Sequence, residues 1–261
     1  MTEVAQYISQ HQAAFLLVLV RVGAFVAALP MIGGNGVPNS FKALLTLALA
    51  AALFPLLPPV APPADGAVLA VGVMAEVFVG VVIGFATRLL FAAVEIGGEL
   101  AGLQMGLGIA TLFDPATQQD ASIVARLQGL MALVLLFALN AHHVILRTLF
   151  ASFERLPPLG LRLTGPLFEH LMRLTAEMFA LGLAIGVPVT LALLLVNLAL
   201  GILFRIVPQL NVFLVSFPIT IGLGLLVTGA SLSLFVGLMQ ARMSGWDGML
   251  VGLLTEMRAA P

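Results

Sequence analysis

The chain alternates long apolar stretches with short connectors rich in glycine and proline. Apolar runs occupy residues 13–32, 41–57, 67–86, 89–110, 127–146, 174–200 and 210–239. Most are close to the roughly 20 residues needed to cross the ~30 Å hydrocarbon layer of a bilayer. Helix is the expected state, because a segment in hydrocarbon has to satisfy its own backbone. The connectors carry residues that end helices: Gly33-Gly34-Asn35-Gly36-Val37-Pro38 after the first run, and Pro58-Pro59-Val60-Ala61-Pro62-Pro63 after the second. Residues 114–126 and 147–173 are polar enough to fall outside the apolar layer. The latter stretch holds Arg147, Arg155, Arg162 and Arg173 against Glu154 and Glu169. Its excess of cations makes it the best candidate for a cytoplasmic segment. Pro188, Pro208 and Pro218 each remove a helical hydrogen bond and predict kinks. The pattern predicts an all-α, membrane-type fold.

Composition narrows the class further. Of 261 residues, 61% are hydrophobic and 9% charged, where soluble domains carry about 25% charged residues. So few charges cannot furnish a water-soluble surface, and lipid or apolar protein has to cover most of the chain. A net charge of −1 argues against nucleic acid as a partner, and the absence of cysteine excludes disulfides and thiolate metal sites. Residues 1–12 are polar without a basic start, so no cleavable signal peptide is expected. No nucleophile–base spacing, phosphate loop or metal motif stands out. We therefore expect no enzyme activity, no cofactor and no metal.

Charges inside the apolar runs are costly and call for partners. They are Arg21, Glu76, Arg88, Glu95, Glu99 and Arg205. Ion pairs that lock helices or subunits together are the favoured reading over a proton relay. Small residues also recur every four positions. Gly98, Gly102 and Gly106 point to a tight helix contact, whereas the pairs Gly80/Gly84 and Gly182/Gly186 are put down to chance or ordinary packing. His142 and His143 point about 100° apart on a helix and suit an interface better than a shared metal. The segment from Leu103 to Pro115 runs from apolar helix through glycines to a bulky apolar tip. It either ends a helix or forms a movable loop whose side chains exclude water from a pore.

Several ordered blocks resemble the FliR family of flagellar type III export-gate proteins. They are Arg21-Val22-Gly23-Ala24-Phe25 with Pro30 and Val37-Pro38; Gln104-Met105-Gly106-Leu107, Ala110-Thr111 and Phe113-Asp114-Pro115; Leu139-Asn140-Ala141-His142-His143; and Pro157-Pro158-Leu159-Gly160. The last set is Val196-Asn197-Leu198-Ala199-Leu200-Gly201, Arg205, Pro208-Gln209-Leu210-Asn211-Val212-Phe213 and Phe217-Pro218. The resemblance implies helical hairpins packed in a hetero-oligomeric gate with FliP-like and FliQ-like subunits. It further implies FlhB and FlhA as neighbours, a place in the bacterial inner membrane at the flagellar basal body, and unfolded flagellar proteins as cargo. Residues 1–165 correspond to a FliP-like part and 166–261 to a FliQ-like hairpin with a tail. The family's plug maps to Met105, Gly106, Gly108, Ile109, Leu112, Phe113, Asp114 and Pro115. Arg88, Glu95, Glu99, Asn197, Arg205, Gln209 and Asn211 are expected to make polar contacts between subunits. The equivalent subunit of a virulence secretion system, a small-solute permease and an inert scaffold stand as alternatives.

Overall fold

A computed structural model describes residues 12–30, 32–33, 36–57, 65–107, 122–161, 164–209 and 211–257, except the Phe213 side chain. The regular elements among them are all helical. In chain order they are α1 (Gln12–Ala28), α2 (Asn39–Leu53, extended by a 3-10 turn, Phe54–Leu56), α3 (Gly66–Gln104), α4 (Ile123–Ala138), α5 (Ala141–Arg155), α6 (Gly165–Ile206), α7 (Val212–Ala230), α8 (Leu232–Ser244) and α9 (Trp246–Glu256). The all-α, membrane-type expectation is met. Three described helices are long and apolar enough to cross a membrane, or up to five if each bent pair is one span.

The divisions between elements differ from those the apolar runs suggest, each for a local reason. The third and fourth runs form one helix, α3. Neither Thr87 nor Arg88 is a helix breaker, and the buried Thr87 hydroxyl is satisfied by donating to the Ile83 carbonyl at 3.2 Å. The fifth run is instead divided into α4 and α5. The break is Asn140, which adopts φ 55, a left-handed conformation asparagine tolerates better than most residues. Most of the first half of the polar stretch 147–173 is helix rather than loop. Within α5, Arg147, Glu154 and Arg155 face outward while Ile145, Leu149, Ser152 and Phe153 are buried. Likewise α6 runs on through Pro188 for 42 residues.

The chain forms two compact units, each assembled from separated stretches. One comprises residues 1–89, 140–174 and 244–261; the other comprises 90–139 and 175–243. In the first unit, α1 buries Leu17, Val18, Val22 and Phe25, and Phe15 meets Phe54 edge-on at 5.4 Å. Helix α9 buries Trp246, Leu250, Leu253 and Leu254. It is tied to the start of α6 by Thr164 Oγ1 donating to the Glu256 carbonyl (2.7 Å) and by His170 Nδ1 against Glu256 Oε2 (2.8 Å). In the second unit, Ala101, Met105, Val124, Val189 and Leu193 form a buried core, with Leu107, Ile221 and Val227 packed on it.

Candidate gate root and subunit-contact faces

Two of the intramembrane charges pair with each other deep in the first unit. Arg21 is fully buried and Glu76 almost so. Arg21 Nε donates to Glu76 Oε2 at 2.5 Å, Nη1 donates to the Ser152 carbonyl (2.9 Å) and Oγ (3.2 Å), and Nη2 donates to the Leu156 carbonyl (2.9 Å). The guanidinium also lies 4.3 Å from the Phe153 ring centre. One side chain thus joins α1 to α3 and to the end of α5, using the fork of donors that lysine lacks. The α1–α3 crossing is close because α3 presents glycine there. A Cβ on Gly80 would strike the Arg21 carbonyl and Ala24, and one on Gly84 would strike Ala28. Gly182 and Gly186 do the same in the second unit, facing Ala93, Ile96, Gly97 and Leu100. Both pairs are therefore close-packing devices, not accidents of a glycine-rich composition.

The helix end that leads into the expected plug is built in detail. The Met105 amide donates to Ala101 O, the Gly106 amide to Leu103 O and the Leu107 amide to Gly102 O, each at 3.0 Å. With Gly106 at φ +83, this is a Schellman ending, in which a left-handed glycine lets two reversed bonds close the last turn. Leu107 then folds onto the core cluster that holds Ala101, the apolar contact such endings usually make. Helix α7 grips the same turn. Thr220 Oγ1 lies 3.1 Å from the Met105 carbonyl, Gly224 leaves space for the Met105 side chain, and the Phe217 ring lies against Gly106.

Met105 is a buried core residue in this chain, and Gly106 closes the end of α3. Gly108, Ile109, Leu112, Phe113, Asp114 and Pro115 lie outside the described residues.

The expected contact residues are mostly exposed. Arg88 and Glu95 share the outward stripe of α3 with Met74, Val81 and Phe85. The four-residue row from Glu76 through Gly80 and Gly84 to Arg88 turns by about 40° per step on a 3.6-residue helix. Its first member is therefore buried and its last exposed. Glu99, one turn beyond Glu95, accepts from the backbone amide of Ser122 through Oε1. Ser122 in turn caps α4 through the Ala125 amide at 3.1 Å. The contact at Gly98 and Gly102 is with Ala125 and Ser122, as the run of three glycines suggested. On α6, Arg205 joins Leu191, Leu194, Leu198 and Ile202 on one exposed stripe, with Asn197 flanking it. Gln209 is exposed in the turn that follows. Asn211 caps α7 by accepting from the Leu214 amide at 3.3 Å. This is a local role that the sequence did not suggest. His142 and His143 lean together, ring centres 4.1 Å apart, instead of diverging.

A chain of long apolar helices with charged residues embedded on exposed apolar stripes belongs to the class of membrane proteins built to assemble with others. The sequence matches the family of bacterial export proteins, family 1, over residues 12–246, and the chain belongs to that family. It is similar to the flagellar biosynthetic protein FliR of Escherichia coli (strain K12), at 31% identity over 92% of each chain. It is also similar to the FliR of Pectobacterium carotovorum subsp. carotovorum, at 31% over 94% of each. The FliR of Bacillus subtilis (strain 168) is 32% identical over 82% of this chain and 84% of that one.

Proposed function

We propose that this protein is a subunit of the flagellar type III export gate, and that with FliP-like and FliQ-like chains it lines the conduit for unfolded flagellar subunits across the inner membrane. The carrying observation is similarity to FliR proteins over almost the whole length of both chains. The exposed apolar stripes add support, since Arg88, Glu95, Asn197, Arg205 and Gln209 sit where a lone chain in lipid would leave them poorly solvated. FlhB and FlhA are the expected neighbours. Residues 1–165 act as the FliP-like part and 166–261 as the FliQ-like hairpin and tail. The role is that of a passage and its seal, with no chemical step.

The seal is the segment from Met105 to Pro115. Met105 and Gly106 root it, and Ile109, Leu112 and Phe113 supply the bulk that keeps a narrow pore dry. The test has two parts. Tagged protein expressed with FliP-like and FliQ-like chains should co-purify with both. Replacing Ile109, Leu112 and Phe113 together by glycine should leave that complex intact while making cells leak ions. Failure to co-purify would reject the assembly, and an intact complex without leakage would reject the seal.

A further inference from the structure

Gln128 is a polar residue on an apolar helix that no contact described so far accounts for. It sits in α4, is 5% exposed, and its Oε1 accepts no hydrogen bond from the described protein atoms. A buried amide oxygen left without a donor costs about 1–3 kcal/mol. The residue lines a cavity of about 10 Å3 that it shares with Met131, Ile185, Leu232, Leu234 and Phe235, and with two hydroxyl residues, Thr228 and Ser231. Those hydroxyls already use their single protons. Thr228 Oγ1 donates to the Gly224 carbonyl at 2.7 Å, and Ser231 Oγ donates to the Thr228 carbonyl at 3.1 Å. Each keeps lone pairs that can accept. Neither hydroxyl therefore has a proton left for Gln128 Oε1.

We infer that the cavity is a binding site for one water molecule, which donates to Gln128 Oε1 and to a hydroxyl oxygen of Thr228 or Ser231. The space is about the size of a single water. Two donated hydrogen bonds reach the number of polar partners a buried water typically needs. A water also serves either orientation of the Gln128 amide, since it can donate to the oxygen or accept from the nitrogen. The location gives the site a purpose. Ser231 is the break between α7 and α8, where the axis bends by 49°. The water links the Gln128 side chain on α4 to a hydroxyl beside that bend.

X-ray radiolysis of the full-length protein, purified with whatever subunits accompany it and rapidly mixed with heavy-oxygen water, tests the site. Radicals made from a bound water mark the side chains beside it even where bulk solvent cannot reach. Phe235 and Ile185, each 5% exposed, should become oxidised and take up the heavy label more slowly than surface residues. Gln128→Leu removes the oxygen and should lower that labelling about fivefold, the occupancy change expected from losing one hydrogen bond of ~1 kcal/mol. Ser231→Ala, which leaves α4 untouched, should lower it in the same direction. Unlabelled Phe235 and Ile185 in the unmodified protein would mean a dry cavity and overturn the inference. Labelling that survives both substitutions would overturn it as well.

Discussion

The Arg21–Glu76 pair allows the sharpest quantitative test of the packing. Replacing Arg21 with methionine keeps most of the side chain's length but deletes every donor. It leaves the Glu76 carboxylate buried and removes the Arg21 donor from the Leu156 carbonyl and from the Ser152 carbonyl, which keeps the Leu156 amide. An uncompensated buried charge costs about 3–5 kcal/mol. The lost contact with the Phe153 ring adds about 1 kcal/mol, so Arg21→Met should destabilise the first unit by about 4–6 kcal/mol. Glu76→Gln should cost less, because the amide oxygen still accepts from Nε and the cation keeps its carbonyl acceptors. The double change Arg21→Met with Glu76→Leu should recover several kcal/mol, since an apolar pair of similar volume is often no worse than the ion pair it replaces. The chain has one tryptophan, Trp246, buried in the same unit, so its fluorescence during denaturant unfolding reports this unit alone. A loss below about 1 kcal/mol for Arg21→Met, within the range of surface ion pairs, would refute the reading of Arg21 as the link between α1, α3 and α5. So would a double variant less stable than either single one.

Other substitutions separate close packing, helix-end geometry and assembly. Gly84→Leu should destabilise the first unit by at least about 1–3 kcal/mol by wedging α3 away from Ala28. Gly129→Ala, on an open face of α4, should instead be neutral or gain up to about 1 kcal/mol; denaturant unfolding of the two variants checks the contrast. Thr220→Val should cost about 0.5–1.5 kcal/mol by removing a hydroxyl whose one proton is shared between the Met105 and Ser216 carbonyls. Thr220→Ser should restore most of the loss, as measured by resistance of the second unit to proteolysis. Arg205→Ala, at an exposed position, should change the chain's own stability by no more than about 0.5 kcal/mol. It should nonetheless impair recovery of the complex and motility together, and normal recovery with normal motility would reject its contact role.

How much of this was legible in the sequence depended on whether the signal was local. Helix content followed from unbroken apolar runs, and Gly98 and Gly102 marked a real contact because their spacing puts them on one face, while Gly106 lies past the helix end and meets Phe217 instead. The cost of Arg21 and Glu76 was readable from their surroundings, but their pairing was not. They lie 55 residues apart, and they meet only because Gly80 and Gly84 bring two helices close. The two apolar runs divided by Thr87 and Arg88 form one helix, because neither residue is a helix breaker. Asn140 did end one, by a left-handed conformation that hydropathy does not register. The plug motif at 104–107 was recognised as a pattern, yet its geometric reason, a Schellman ending gripped by α7, depends on residues more than a hundred positions later. Gln128 gave no signal, since a single amide in an apolar run has no periodicity to betray it.

Helix length carries the argument from fold to assembly one step further. At 1.5 Å per residue, the 39 residues of α3 and the 42 of α6 span about 58 and 63 Å, roughly twice the ~30 Å hydrocarbon layer. Confining either straight helix to that layer would need a tilt near 60°, beyond the ~0–40° range of membrane helices. A helix of either length laid straight across the layer has about half its residues beyond the hydrocarbon. Leu191, Leu195, Leu198 and Ile202 on α6, and Met74, Val77 and Val81 on α3, are all exposed in the single chain. Water cannot cover such stripes without cost, and lipid cannot reach both ends of a helix of that length at once. Apolar faces of neighbouring subunits can, and they can also supply partners for the charges set among them. That requirement follows from length and exposure alone, and it is met by a subunit of a protein assembly, not by a solitary transporter.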